Sequence, residues 1–175
     1  MKIISVFNNK GGVGKSTLSF HLGKALGLMG KKVLFVDLDP QCNLTISAMR
    51  ENELENIWQE EDSYIEDFET AKEKNSEEYL KIIGETRSIK PAEDGVNDIE
   101  KLPPARIISE NVYMIPGRLS IHQFENKISD RWSGLYQSDN LSIRTITYIR
   151  RVCERYAETL GVDFVLVDTS PSLGI

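Results

Sequence analysis

The sequence predicts an α/β fold, a mostly parallel sheet with helices on both faces. Three observations carry that prediction. The runs Val33-Leu34-Phe35-Val36-Asp37 and Phe164-Val165-Leu166-Val167-Asp168 are continuously apolar and rich in β-branched residues, as strands covered on both faces read. Stretches with helical periodicity stand between the strand-like runs, which suits right-handed βαβ steps. A glycine-rich loop, Asn9 to Thr17, lies between the first strand-like run, Lys2 to Phe7, and a helix-like run from Ser16 to about Met29.

That loop reads Asn9-Lys10-Gly11-Gly12-Val13-Gly14-Lys15-Ser16-Thr17. Strand, glycine loop and helix in succession are the context of a phosphate-binding loop. Glycine reaches backbone angles closed to other residues and carries no side chain, so several N–H groups can converge on one anion. The new helix adds its unpaired N–H groups and the positive end of its dipole. Lys15 can reach β- and γ-phosphates, and Ser16 can offer its hydroxyl to Mg²⁺. The general pattern G-x-x-x-x-G-K-[ST] is not fully met. Its first glycine falls at Asn9, and Lys10 adds a second cation inside the loop.

The segment from Lys10 to Thr17 resembles the deviant Walker A box of the ParA/MinD class of P-loop ATPases. The resemblance implies that Gly11, Gly12, Val13, Gly14, Lys15, Ser16 and Thr17 hold ATP. It also implies that Lys10 is a signature lysine reaching across a dimer to the partner's nucleotide. Asp37-Leu38-Asp39-Pro40-Gln41 is similar to the family's D-x-D-P-Q box, whose second acid positions the hydrolytic water; here that is Asp39. The family continues with Gly-Asn, and this chain has Cys42-Asn43. If a positive φ is required there, Cys42 is a strained choice. The Phe164–Asp168 run with Thr169-Ser170-Pro171-Ser172 is similar to the family's h-h-h-h-D-x-P-P-S segment, with Ser170 where proline is common. Asp168 is thereby expected to serve Mg²⁺ with Ser16 and Asp39, and the residues after it to act as a γ-phosphate switch.

The remaining elements follow in order. The first helix carries Leu18, Leu22, Ala25, Leu26 and Met29 as an expected buried stripe, with Gly30 as its stop. His21 reads as a structural or surface histidine. Asp37 and Asp39 close the second strand, and alternation sends both the same way if the extended chain persists. Asn43 to Met49 reads as a short helix. Between Glu51 and Glu110 there are 18 acidic and 7 basic residues, a net −11, while the rest of the chain stands at +5. Such an acidic segment is a poor nucleic-acid surface. Residues 51–104 read as a helical and loop insert, with helix over Glu51 to Asn75 and Ser76 to Gly84 and loop over Pro91 to Pro104. A third strand is expected at Asn111 to Ile115, closed by Pro116-Gly117. A helix follows over Leu119 to Ile128, with Ile121, Phe124 and Ile128 inward and His122 outward. A long helix spans Leu141 to Leu160, its stripe Ile143, Ile146, Ile149, Val152, Tyr156 and Leu160 and its stop Gly161. Arg144, Arg150, Arg151 and Arg155 fall mostly on a solvated face.

The chain has 175 residues, 40% hydrophobic and 27% charged, ordinary for one globular domain. No apolar run is long enough to span a bilayer, and the N-terminus has no signal-peptide pattern. Cys42 and Cys153 have neither metal nor disulfide spacing, which suits a reducing cytoplasm. The chain ends seven residues after Asp168. The family domain continues further, so the expectation is an incomplete P-loop domain whose sheet ends at strands one and four, an uncovered edge inviting self-association.

By resemblance the function is a Mg-dependent ATPase switch of the ParA type in plasmid or chromosome partition. It would form a homodimer on ATP binding, be accelerated by a ParB-like partner and touch non-specific DNA through the missing C-terminal part. Its place would be the cytoplasm, with possible association with the nucleoid. The alternatives are a MinD-like positioning ATPase, which needs a C-terminal amphipathic helix, and a truncated nucleotide-binding scaffold without turnover. An iron–sulfur reductase would need paired bridging cysteines that this chain lacks.

Overall fold

The computed structural model describes residues 1–56, 105–118, 121, 129 and 131–170. The expected helices over Glu51 to Asn75, Ser76 to Gly84 and Leu119 to Ile128, and the loop from Pro91 to Pro104, lie outside them, apart from residues 51–56 and Ile121. Residues 51–56 are helical. Glu53 opens that helix in capping-box fashion, its Oε2 accepting from Arg50 N at 3.0 Å.

The described strands are β1 (Lys2–Val6), β2 (Val33–Leu38), β3 (Arg106–Ser109), β4 (Val112–Ile115) and β5 (Phe164–Thr169). The helices are α1 (Lys15–Leu28), α2 (Asn43–Ala48) and α3 (Asn140–Leu160), with a 3₁₀ helix at Trp132–Gln137. The strands form one sheet in the order β1-β5-β2-β4-β3. β1, β5, β2 and β4 run parallel, and β3 returns antiparallel to β4. The expected α/β class therefore holds. Two details differ. β3 was not legible, because Arg106-Ile-Ile-Ser109 is short and sits beside a proline-rich stretch. β5, expected at an edge, is interior, so the described edges are β1 and β3. On edge strand β1, Ile3 and Ile4 are more than a third exposed.

Alternation along β2 divides the core. Leu34, Val36 and Leu38 pack with Val165 and Val167 against Tyr148, Val152, Cys153 and Tyr156 of α3. Val33 and Phe35 pack with Val112, Met114 and Leu166 on the opposite face, joined by Leu44 of α2 and Phe20 of α1. Helices thus cover both faces, as period-two alternation in a parallel sheet requires. On that face Asp37 continues the Val33–Phe35 set, and Asp168 continues from Leu166.

α1 overturns its expected stripe. Its buried residues are Lys15, Ser19, Gly23 and Gly27. Leu18 is 57% and Met29 73% exposed, and Leu22 and Ala25 also face outward. The reason is distance. A Cβ added at Gly23 would stand 2.2 Å from Phe35 Cε1, and one at Gly27 2.6 Å from Val112 Cγ2. The helix lies so near the sheet at these two positions that only glycine fits there, while Phe20 and Leu26 pack partly buried beside them. His21 is exposed, as expected.

α3 matches its expected span. Asp139 caps it, with Oδ2 accepting from Ser142 N at 2.9 Å and Ser142 Oγ at 2.6 Å, and Gly161 ends it at φ 64°. Of its expected stripe, Val152 and Tyr156 are buried in the core and Ile146, Ile149 and Leu160 pack against it partly buried; Ile143 is 39% exposed, and Tyr148, Cys153 and Ala157 widen the buried side. Arg150 pairs with Glu154 at 2.8 Å, an exposed i,i+4 ion pair of small energetic weight. Cys42 and Cys153 are both buried, and burial pushes the Cys153 thiol up to about 12. Among the described residues no helix is long and apolar enough to cross a membrane.

Candidate functional site: a phosphate-loop cleft at the strand ends

The loop after β1 crosses the C-terminal ends of β5 and β2 and enters α1. Gly14 is the N-cap residue of α1 at φ 85°, and Gly12 stands at φ 70°. Both angles favour glycine. A Cβ added at Gly11, Gly12 or Gly14 would meet nothing within 4 Å, so the loop encloses open space. Among the described residues no side chain caps α1. Its first-turn N–H groups therefore keep their capacity for an anion. Lys15, the first residue of α1, is buried.

A cleft of about 540 Å³ opens over this loop. One wall is the run from Gly11 to Thr17; the other includes Asp39, Gln41, Asn43, Ser47 and Ser170. The structure thus brings Gly11, Gly12, Val13, Gly14, Lys15, Ser16, Thr17 and Asp39 to one hollow. Lys10 is not brought there. It is exposed on the loop, its N–H donating to Asn8 Oδ1 at 2.9 Å.

Asp168 lies beneath the cleft. Register places it between Val6 of β1 and Asp37 of β2. It is fully buried, and among the described residues neither carboxylate oxygen has a partner of good hydrogen-bond geometry, although the Ser16 hydroxyl and the Thr169 N–H lie near enough to favour its charged form. Burial raises its pKa; the nearby Ser16 hydroxyl and Lys15 ammonium oppose that rise, and Asp39 adds to it. A buried carboxylate beside a serine hydroxyl offers oxygens suited to Mg²⁺, and the lysine at the helix N-terminus suits the phosphate that would carry the ion. The residues present fit a Mg-nucleotide. Among the described residues no group of three or more His, Cys, Asp or Glu could hold a metal without such a ligand.

The acids at the end of β2 do not act alike. β2 ends at Leu38, so the alternation expected to align Asp37 with Asp39 is interrupted. Asp39 reaches the cleft, with Oδ1 accepting from Gln41 N at 2.9 Å. Asp37 is buried and accepts from Asp39 N, Thr45 N and Thr45 Oγ1. Burial, the largest influence, lifts its pKa to about 6 against these hydrogen bonds, with Asp168 adding to the rise. Cys42, the N-cap residue of α2, stands at φ 52°, the positive angle anticipated from its replacement of glycine. Thr45 was missed: it carries no motif signal, because its place depends on where β2 ends. Ser170, noted in the sequence only as standing where proline is common, lines the cleft.

Comparison with known proteins agrees with this geometry. A family model described as "AAA domain" matches residues 1–175. A probable plasmid-partitioning protein ParA from Thermus thermophilus is 29% identical over 174 residues, 99% of this chain and 39% of that protein. The crystal structure of protein DIP2308 from Corynebacterium diphtheriae has a TM-score of 0.75 and 31% identity, covering 99% of this chain and 54% of that one. The structure of pNOB8 ParA bound to nonspecific DNA has a TM-score of 0.50 and 25% identity, covering 98% and 46%. The chain spans about half or less of the length of these relatives. With the family model matched from end to end over a phosphate-loop α/β fold, the chain belongs to the AAA domain family, as a ParA-like P-loop ATPase relative.

Proposed function

We propose that this chain is the nucleotide-binding part of a ParA-type ATPase switch in DNA partition, a P-loop domain with an acidic insert at about 51–104. The observation that carries the reading is the open glycine-loop cleft lined by Lys15, Ser16 and Asp39, with the buried Asp168 carboxylate close to Lys15 and Ser16. ATP occupies the cleft. The loop N–H groups and the α1 N-terminus hold its phosphates, with Lys15 as the point charge. Ser16 and Asp168, with Asp39, would hold Mg²⁺, which would supply charge neutralisation at the phosphates. Asp39 orients the attacking water. Lys10, exposed and outside its own cleft, reaches the nucleotide of a second copy.

In that arrangement ATP binding creates a homodimer, and a ParB-like partner accelerates hydrolysis. Non-specific DNA is a further partner in this reading, supported by the similar pNOB8 ParA, whose structure is bound to nonspecific DNA. The protein works in the cytoplasm, on the nucleoid. The test is calorimetric titration of the full-length protein and its Lys15→Ala variant with ATP and Mg²⁺. Binding by the wild type and none by the variant is expected. Equal binding by both refutes the reading.

A further inference from the structure

A buried relay of hydrogen bonds joins three segments behind the cleft. Asp37, 2% exposed, accepts from Asp39 N through Oδ1 at 3.1 Å. Its Oδ2 accepts from Thr45 N at 2.9 Å and from Thr45 Oγ1 at 2.7 Å. Thr45 Oγ1 in turn accepts from Gly117 N at 2.8 Å. The Asp39 loop, the first turn of α2 and the turn after β4 therefore share one carboxylate and one hydroxyl.

The relay has no slack. A Cβ added at Gly117 would stand 2.8 Å from Asp37 Cγ and 3.1 Å from Cys42 Sγ. Cys42 provides no side-chain cap for α2 among the described residues, and Asp37 does so from a neighbouring strand by accepting from Thr45 N. The Thr45 hydroxyl has both donor and acceptor roles filled. Serine can reproduce them; valine, of the same shape, cannot. Both Asp37 oxygens are engaged by protein donors, which sets this acid apart from Asp39.

We propose that Asp37, acting through Thr45, is a positioning residue. It holds Asp39 at the wall of the phosphate cleft and couples that wall to the Gly117 turn. The proposal rests on the ATPase reading above for what Asp39 does, and on the relay alone for where Asp39 is held.

The experiment compares wild type, Thr45→Val and Thr45→Ser in the full-length protein. Amide exchange is followed without nucleotide, and ATP affinity and turnover are measured with Mg²⁺. Thr45→Val is expected to speed exchange at Gly117 and Asp39 by about tenfold or more. Its kcat is expected to fall by about tenfold or more with ATP affinity changed less than about threefold, the signature of an interaction lost after binding. Thr45→Ser is expected to restore both. Unchanged exchange in Thr45→Val overturns the relay. Faster exchange with unchanged kcat overturns the positioning role. Equal impairment of Thr45→Ser and Thr45→Val shows a packing effect and overturns the part given to the hydroxyl. A wild type that binds no ATP sinks the ATPase reading, while the exchange comparison still decides the relay.

Discussion

Gly23 of α1 lies against the ring of Phe35 in β2, so near that a Cβ on the glycine would stand 2.2 Å from Cε1. This contact sets how closely α1 approaches the sheet. Because α1 begins at Lys15, it also sets where the phosphate loop meets the ends of β2 and β5. Gly23→Ala gains up to about 1 kcal/mol of helix propensity. It also forces a clash with a packed ring, for which about 1–3 kcal/mol is usual and more is possible at this distance. The clash wins, so denaturant unfolding should show Gly23→Ala less stable than wild type by about 1–2 kcal/mol. Phe35→Leu should cost less in the Gly23→Ala background than alone, and strictly additive effects would refute the contact.

The same contact explains what the sequence concealed. The strands β2 and β5, the loop and the α3 limits were legible because continuous apolar runs, glycines and a capped periodic helix are local signals. The buried side of α1 was not. Leu18, Leu22 and Leu26 repeat at helical spacing as a core stripe would, yet of the three only Leu26 packs against the core. Here Phe35 fills the layer from the sheet side, and glycines accept it. The acids at the end of β2 were half legible. Their spacing implied one shared direction, but β2 ends between them, and only tertiary placement shows Asp37 turned to Thr45 and Asp39 to the cleft.

Asp37 gives stability a pH dependence. Its pKa is 3.8 in the ordinary state and about 6 in the fold, raised first by burial. The folded form holds the proton more tightly. Its contribution is therefore fully present below about 3.8 and is lost as pH rises through about 6. The shift corresponds to at most roughly 3 kcal/mol at 1.36 kcal/mol per pKa unit. Asp37→Asn removes this titration. The stability advantage of wild type over Asp37→Asn, measured by urea unfolding, should be larger near pH 5 than near pH 7. An advantage that grows with pH would contradict the burial-driven shift.

Cys42 occupies a left-handed angle, φ 52° and ψ 29°, at the N-cap of α2. That conformation costs a non-glycine residue roughly 1–2 kcal/mol. Cys42→Gly relieves it but empties a buried thiol position, worth on the order of 1 kcal/mol. The two effects nearly cancel, so Cys42→Gly should unfold within about 1 kcal/mol of wild type. Cys42→Val keeps the bulk and adds β-branching at a positive φ, and should lose about 2 kcal/mol or more. Thermal unfolding of the pair distinguishes a strained backbone from simple packing, which would rank valine above glycine.

Under the proposed function, Asp168 would set stability against ligand binding. Its carboxylate is fully buried without a partner of good hydrogen-bond geometry among the described residues, and burial raises its pKa. Leaving such a group unsatisfied costs about 1–3 kcal/mol, more when charged. Asp168→Asn removes the charge at nearly constant volume. The nucleotide-free variant should therefore gain on the order of 1 kcal/mol of stability, part of the unsatisfied cost remaining with the amide. Functional sites commonly carry destabilising arrangements of this kind. The same variant should lose most of the increase in ATP affinity that Mg²⁺ confers, while affinity in EDTA changes less than about threefold, since Lys15 and the loop N–H groups are untouched. A purely structural Asp168 would give the reverse: lower stability on substitution and an unaltered response to Mg²⁺. Paired unfolding and titration of the one variant separate the two, because they predict opposite signs for the stability change.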